Sequence, residues 1–237
     1  GLLLVRPDKV LRLTMLLHDI AKPVMRKTDE NGRDHFKMHA PEGEKMAKSI
    51  LRRLKFDNDT ISKVSRLIKY HDDRPMPEMR SVRRAVNRIG EDLFPMYLEV
   101  QEADMLAQSE YRREEKSARL KGVAECYHKV VEEKQCVSLK TLAVTGRDLI
   151  QAGYKPGPEL GEVLKEMLEH VLEEPSDNTK EKLMEFINKE KKEKANKTKQ
   201  NKFQEIEDYF PKSSIVRNWN EYRESFVKII RKNHFSF

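Results

Sequence analysis

The sequence predicts an all-α fold, a helical bundle followed by further helices, on three observations. Segment after segment repeats its apolar residues at the 3.6-residue period of an amphipathic helix. Aromatic residues make up 7% of the chain and β-branched runs are short, which leaves little for a large sheet to pack. Hydrophobic content of 38% is matched by 37% charged residues, as expected of long helices with one buried and one solvated face. A length of 237 residues allows one or two domains and a sizeable core.

The elements follow in order. The uncapped apolar start at Gly1 to Lys9 predicts further sequence upstream. Asp8 is placed to cap a buried helix whose run Leu11 to Leu17 has only Arg12 and Thr14 polar, and Pro23 bounds it. Thr28 to Arg33, with Asn31-Gly32, is a turn. Met46, Ala47, Ile50, Leu51 and Leu54 mark an amphipathic helix within 41–56. Asn58 or Asp59 would cap the next helix, which runs towards Tyr70 and ends at His71. After a Pro-containing loop, Arg80 to Ile89 forms a basic helix closed by Gly90. Glu91 to Arg119 predicts one long helix or two, with Pro95 in the first turn, and Lys121 to Gln135 another. Thr145 or Asp148 starts a further helix. Gly153 to Pro158 is a turn, Glu159 to Leu172 an amphipathic helix stopped by Pro175, and Asn178 caps a helix to about Lys189. Lys189 to Lys202 is an exposed helix or linker of Lys, Glu and Asn. Phe203 to Phe237 is rich in aromatics, with a helical apolar pattern over 215–230, suited to docking or partner binding.

Charge and cysteine usage narrow the function classes. Of the net +7, residues 181–237 carry +5, from 14 Lys and Arg against 9 Asp and Glu, so the main body is nearly balanced. That permits nucleic-acid contact through a local basic face without establishing it. No stretch is long and apolar enough for a transmembrane helix, and Leu2 to Val5 is too short for a signal peptide. Cys126 and Cys136 lack metal-type spacing and suit a reducing cytoplasm, a disulfide being the alternative.

The chemistry centres on Leu16-Leu17-His18-Asp19-Ile20-Ala21-Lys22-Pro23. A His-Asp pair delivered by a buried helix needs partners, and a divalent metal satisfies imidazole and carboxylate together. A bare His-Asp dipeptide is also common on surfaces and beside caps. His35, His39, His71 and Asp104 follow in or beside helical segments, and converging His and Asp from several helices are how a bundle builds a metal site. His35 can instead bond its own loop. His128 and His170 sit in ordinary amphipathic helices and are structural.

The octapeptide resembles the signature of HD-domain metal-dependent phosphohydrolases. More narrowly, the ordered succession of motifs resembles the HD-containing C-terminal half of bacterial CCA-adding tRNA nucleotidyltransferases over about residues 6–187. Its motifs are His35-Phe36 with His39, Glu42-Gly43, Leu67-Ile68-Lys69-Tyr70-His71, Glu102-Ala103-Asp104, Thr145 to Ile150, Lys155 to Gly161 and Asn178 to Leu183. The resemblance implies a divalent metal (Mn, Fe, Ni, Zn or Mg) on His18, Asp19 and Asp104, with Asp19 bridging two ions if two bind. His39 and His71 would hold the second. Lys22, one turn beyond His18, would neutralise phosphate. Arg83 and Arg84 would do likewise, a solvated basic face being the other reading. If the chain instead grips tRNA, Arg147, Lys155, Gly157 and Gly161 are reasonable contacts, since glycines allow close backbone approach. A helix-start turn with solvated charges is the alternative.

Two departures stand out. HD phosphohydrolases usually carry a further His before the His-Asp pair, and none precedes His18. Met38 stands where the CCA-type motif often has Gly. Nucleotidyl transfer needs a Gly-Ser turn and an Asp-x-Asp pair on a strand. Asp57-Asn58-Asp59 lacks that context, and its aspartates are read as caps. The expected organisation is an HD-type helical domain over 1–120, a helical RNA-binding-like region over 121–188, and a charged linker with an aromatic-rich helical segment over 189–237. Two functions compete: a phosphohydrolase acting on phosphomonoesters or cyclic phosphodiesters of nucleotides or RNA ends, and a non-catalytic tRNA-binding body without a nucleotidyltransferase head. Either places the protein in the cytoplasm with tRNA or a nucleotide phosphate as partner.

Overall fold

The structure, a computed structural model, describes residues 1–209, with side chains described to residue 202 apart from 195 and 199. The aromatic pattern over 215–230 lies outside the described residues. The fold is all-α. Among the described residues the only strands are a two-residue antiparallel pair, β1 (Lys27–Thr28) and β2 (Asp34–His35), in the register Lys27 to His35. The chain divides into two compact units, Gly1–Thr179 and Lys180–Phe237. No helix among the described residues is long and apolar enough to cross a membrane. Cys126 and Cys136 are free thiols.

Helix α1 (Lys9–Leu17) starts at Asp8, whose carboxylate accepts from the Val10 and Leu11 amides at 2.8 and 3.0 Å. It buries Val10, Leu11, Thr14, Met15 and Leu17, and Leu11 and Met15 join Val5, Val100 and Ala103 in one apolar cluster. The chain then turns through 18–21 into α2 (Lys22–Met25), where Pro23 is tolerated because the first-turn amides have no helical partner.

Helices α3 (His39–Arg53) and α4 (Asn58–Tyr70) form the most extensively packed pair, antiparallel across a tight corner. Ala47 and Leu51 of α3 are buried, as are Ile61, Val64, Leu67 and Ile68 of α4. The cap of α4 is Asp57, which accepts from the Thr60 amide at 2.8 Å, so of the candidate caps Asp57, Asn58 and Asp59 the first holds the position. Asp59 pairs with Lys63 at 2.6 Å on the helix surface. Both aspartates of the Asp-x-Asp pair therefore serve helix α4.

Helix α5 (Met79–Ile89) ends at Gly90, whose φ of 103° is accessible to glycine at little cost. Glu91 to Arg119 resolves into α6 (Phe94–Ala107) and the start of α7 (Arg113–Glu132). The boundary expected before Lys121 does not exist, and α7 runs through it. Gly122 sits mid-helix because Pro77 passes so close that a Cβ would lie 2.7 Å from the proline ring. A steric demand, rather than a helix stop, accounts for that glycine.

A capping box of Thr145 and Asp148 begins α8 (Gly146–Gln151), and α9 (Pro158–Glu173) follows. Asn178 does not cap by its side chain as expected. It spans to the 141–143 segment, accepting from the Ala143 amide at 2.8 Å and donating to the Thr141 carbonyl at 3.1 Å. In the second unit, α10 (Lys180–Tyr209) continues as helix through the stretch read as helix or linker.

Candidate metal centre

Three helix ends and one helix face converge on Asp19. His18 follows the last residue of α1, His71 follows α4, His39 opens α3, and Asp104 projects from α6. In all three histidines the ring Nδ1 donates to a backbone carbonyl three residues earlier: His18 to Met15 at 3.0 Å, His39 to Phe36 at 2.8 Å and His71 to Ile68 at 2.7 Å. A carbonyl can only accept, so in each neutral ring the lone pair lies on Nε2. Those Nε2 atoms face inward. His39 and His71 approach to 3.2 Å, His18 lies 3.3 Å from Asp19 Oδ2 and 3.4 Å from Asp104 Oδ1, and His71 and His39 lie 3.5 and 3.6 Å from Asp19 Oδ1.

This arrangement is short of a cation. Two imidazole lone pairs 3.2 Å apart repel unless a proton or a metal lies between them. Asp19 Oδ1 is buried with no hydrogen-bond partner, a costly state for a carboxylate oxygen. A tetrahedral ion with ligands at about 2.0–2.1 Å separates its ligand atoms by about 3.3 Å, and the observed spacings cluster around that edge. His18, Asp19 and His71 place ligand atoms within 4.8 Å of one another. The mixed nitrogen and oxygen donors suit a borderline ion such as zinc, manganese, iron or nickel. The residues present fit a divalent metal.

Electrostatics follow the same geometry. Burial opposes a charge on His18, but the Asp104 and Asp19 carboxylates outweigh it and raise its pKa to about 9. Burial likewise acts to raise Asp19, yet His18, His71 and Lys22 hold it well below the usual carboxylate range. Asp104 is lowered against its own burial, by His18 and then by Gln108, which donates to it at 2.7 Å.

Lys22 bonds Asp19 Oδ2 at 2.6 Å and sits 6.0 Å from the centre of the Phe36 ring. It lines a cleft of about 380 Å³ that His39 and His71 also border, together with Phe36, Lys37, Arg74 and Asp104. His35 also borders this cleft, with its ring Nε2 bonded to Asp29 of its own hairpin at 2.8 Å.

The remaining predicted residues lie elsewhere. Arg83 is 5% exposed and belongs neither to a phosphate surface nor to a solvated face. Its guanidinium donates to the carbonyls of Leu172 and Glu173 at the end of α9 and to Gln135, which ties α5 to α9. Arg84 pairs with Glu173 at 2.5 Å and Glu169 at 3.5 Å. Both arginines thus hold helices together. Arg147, Lys155, Gly157 and Gly161 gather at the α8–α9 corner, apart from the elements that carry the metal ligands. A Cβ on Gly157 or Gly161 would meet nothing within 4 Å, so only the backbone of Gly157, with φ at 157°, favours glycine there.

Sequence reasoning missed the support beneath His71. Gln101 of α6, 8% exposed, donates to the His71 carbonyl and to that of Asp73 at 3.3 Å, and Tyr97 donates to the same Asp73 carbonyl at 2.5 Å. Arg119 of α7 donates in turn to Gln101 at 3.4 Å. Tyr97, Gln101, Asp104 and the C-cap Gln108 are spaced four, three and four apart, a polar stripe on one face of the helix, and that spacing was the available signal.

Comparison with known proteins identifies the family. Residues 36–187 match the family model described as tRNA nucleotidyltransferase domain 2, a span that contains His39, His71 and Asp104. Over 159 residues the chain is 32% identical to a CC-adding tRNA nucleotidyltransferase of Thermus thermophilus, covering 67% of this chain. The chain spans about a third of that relative's length, 35%. No solved structure matches. With a family match extending over more than half of its residues, the chain belongs to the tRNA nucleotidyltransferase domain 2 family, the region related to CCA-adding enzymes.

Proposed function

We propose that this chain is a metal-dependent phosphohydrolase of tRNA metabolism in the cytoplasm, cleaving a phosphomonoester or a 2',3'-cyclic phosphodiester of a nucleotide or RNA end. The observation that carries the proposal is the meeting of three Nε2 lone pairs on Asp19, with Asp104 closing the ring. His18, His39 and His71 would hold a divalent ion through Nε2, their rings fixed by the Nδ1 bonds to backbone carbonyls. Asp19 and Asp104 would offset its charge. When bound, such an ion polarises a phosphoryl oxygen and acidifies a coordinated water. Lys22 and Lys37, on the wall of the cleft, orient the substrate phosphate and offset its charge, and Phe36 covers the organic part of the substrate. The test is metal-stimulated conversion of 2',3'-cyclic AMP to 2'- or 3'-AMP and metal-stimulated release of phosphate from p-nitrophenyl phosphate. Activity lost in Asp19→Asn and His71→Ala, with both variants folded, supports the proposal. Absence of turnover of both compounds with all five metals refutes it.

One observation favours a second reading, a non-catalytic body that grips tRNA. The family match begins at residue 36, after His18 and Asp19, and extends over the α8–α9 corner that carries Arg147, Lys155, Gly157 and Gly161. Binding of tRNA that survives His18→Ala and falls with Arg147→Gln and Lys155→Gln would favour this reading. In neither reading do Asp57 and Asp59 carry nucleotidyl transfer, because one caps α4 and the other pairs on its surface.

A further inference from the structure

A groove of about 460 Å³ runs along the outer faces of α3 and α4 and is walled by α5. None of the metal ligands lines it. Five cations do, Lys48, Arg52, Arg66, Lys69 and Arg88, against the single carboxylate of Glu44. Arg88 is engaged by Asp73 at 2.7 Å, and Lys69 lies 3.9 Å from Glu44. Lys48, Arg52 and Arg66 make no ion pair within 4 Å among the described residues. The floor is polar. It includes Asn58, Ser62, Asn87 and Ser65, and Ser65 is 3% exposed with its hydroxyl buried and without a hydrogen-bond partner. A buried hydroxyl in that state lacks the partner that native structures supply, and it lines a concave, positively charged space.

We propose that this groove binds the sugar–phosphate backbone of an RNA strand, with Lys48, Arg52 and Arg66 on phosphates and Ser65 donating to a phosphate oxygen. The proposal takes its RNA setting from the function proposed above and uses none of its metal chemistry. The layout suits a line of charges. Lys48 and Arg52 stand one turn apart on α3, about 6 Å along the axis, and Arg66 and Lys69 form a second row on antiparallel α4. An anionic membrane would prefer a convex face with apolar residues to insert, and an acidic peptide helix would need apolar pockets for its anchors. The polar floor supplies neither. The near end, at Glu44, lies about 7 Å along α3 from His39.

The test measures binding of a fluorescently labelled tRNA transcript to the full chain across a salt series. The triple variant Lys48→Gln, Arg52→Gln, Arg66→Gln is expected to bind at least about tenfold more weakly. Its log affinity against log salt should be shallower by about 2, at about 0.7 for each lost single-strand phosphate contact. Glu44→Gln should tighten binding severalfold, a gain that no folding defect can produce. Metal content should be unchanged in both, while Asp19→Asn should lose metal and keep tRNA affinity, so the two proposals fail separately. Equal affinity and slope in wild type and triple variant overturns the inference. So does a wild type that ignores tRNA and binds phosphatidylserine vesicles or polyglutamate.

Discussion

Replacing Gln101 by leucine separates a residue that holds the metal centre in place from one that merely fills the core. Gln101 lies deep in the bundle and donates to the His71 carbonyl, just beyond the end of α4. Leucine occupies a similar volume but donates nothing. The Asp73 carbonyl keeps its bond from Tyr97, whereas the His71 carbonyl loses the side chain that served it. One buried acceptor left without a donor costs about 1–3 kcal/mol. In a protein of this size that lowers Tm by about 2–4 °C per kcal/mol. The same change frees the segment that aims His71 Nε2 at Asp19, and loss of such support typically weakens metal binding by about 10–100-fold. Thermal melts of the metal-free protein give the first number, and competition titration with a chelating indicator gives the second. A variant that loses stability but binds metal as tightly as wild type would refute the claim that Gln101 positions His71.

Three further outcomes are expected. In the metal-free protein His18, with its pKa raised to about 9, keeps a proton through neutral pH, so an incoming ion must displace it. Metal affinity should climb with pH up to about 9 and flatten above it, while the stability that this proton gives the metal-free fold is full below 6.5 and lost as pH rises through 9. A pH-independent affinity, measured by the same titration, would contradict this. Met38→Gly should raise stability by up to about 1 kcal/mol, because Met38 holds a left-handed φ of 67° just before His39, and urea unfolding that shows a loss would contradict it. Arg83→Met should destabilise by about 3–5 kcal/mol, since it strands buried carbonyls of α9, and leave tRNA affinity unchanged; a mild stability effect with weakened tRNA binding would return Arg83 to the phosphate surface.

What the sequence disclosed depended on how local each interaction is. Asp8 as a cap, Gly90 as a stop and Pro95 in a first turn are read from neighbours a few residues away, and the structure has all three. Helical identity was legible throughout, because burial of one face leaves its period in the chain. The run through Gly122 was not, because its cause is Pro77, a contact from 45 residues earlier that leaves no local trace. Arg83 misled for a related reason. In sequence a cation on a basic helix is indistinguishable from a solvated one, and only packing brings the α9 carbonyls to it. The convergence of His18, Asp19, His39, His71 and Asp104 is a tertiary fact that ordered motifs anticipated through family resemblance rather than through physics. The polar stripe from Tyr97 to Gln108 was open to physical reading and was passed over.

The most direct test of the account is the metal content of the purified chain, wild type beside Asp19→Asn, by elemental analysis after supplementation with manganese, iron, nickel and zinc. Asparagine keeps the shape of the side chain and removes the charge on which the three imidazoles converge. The account predicts at least about one equivalent of a divalent ion in the wild type and little in the variant, with both folded. No metal in either folded protein would contradict it.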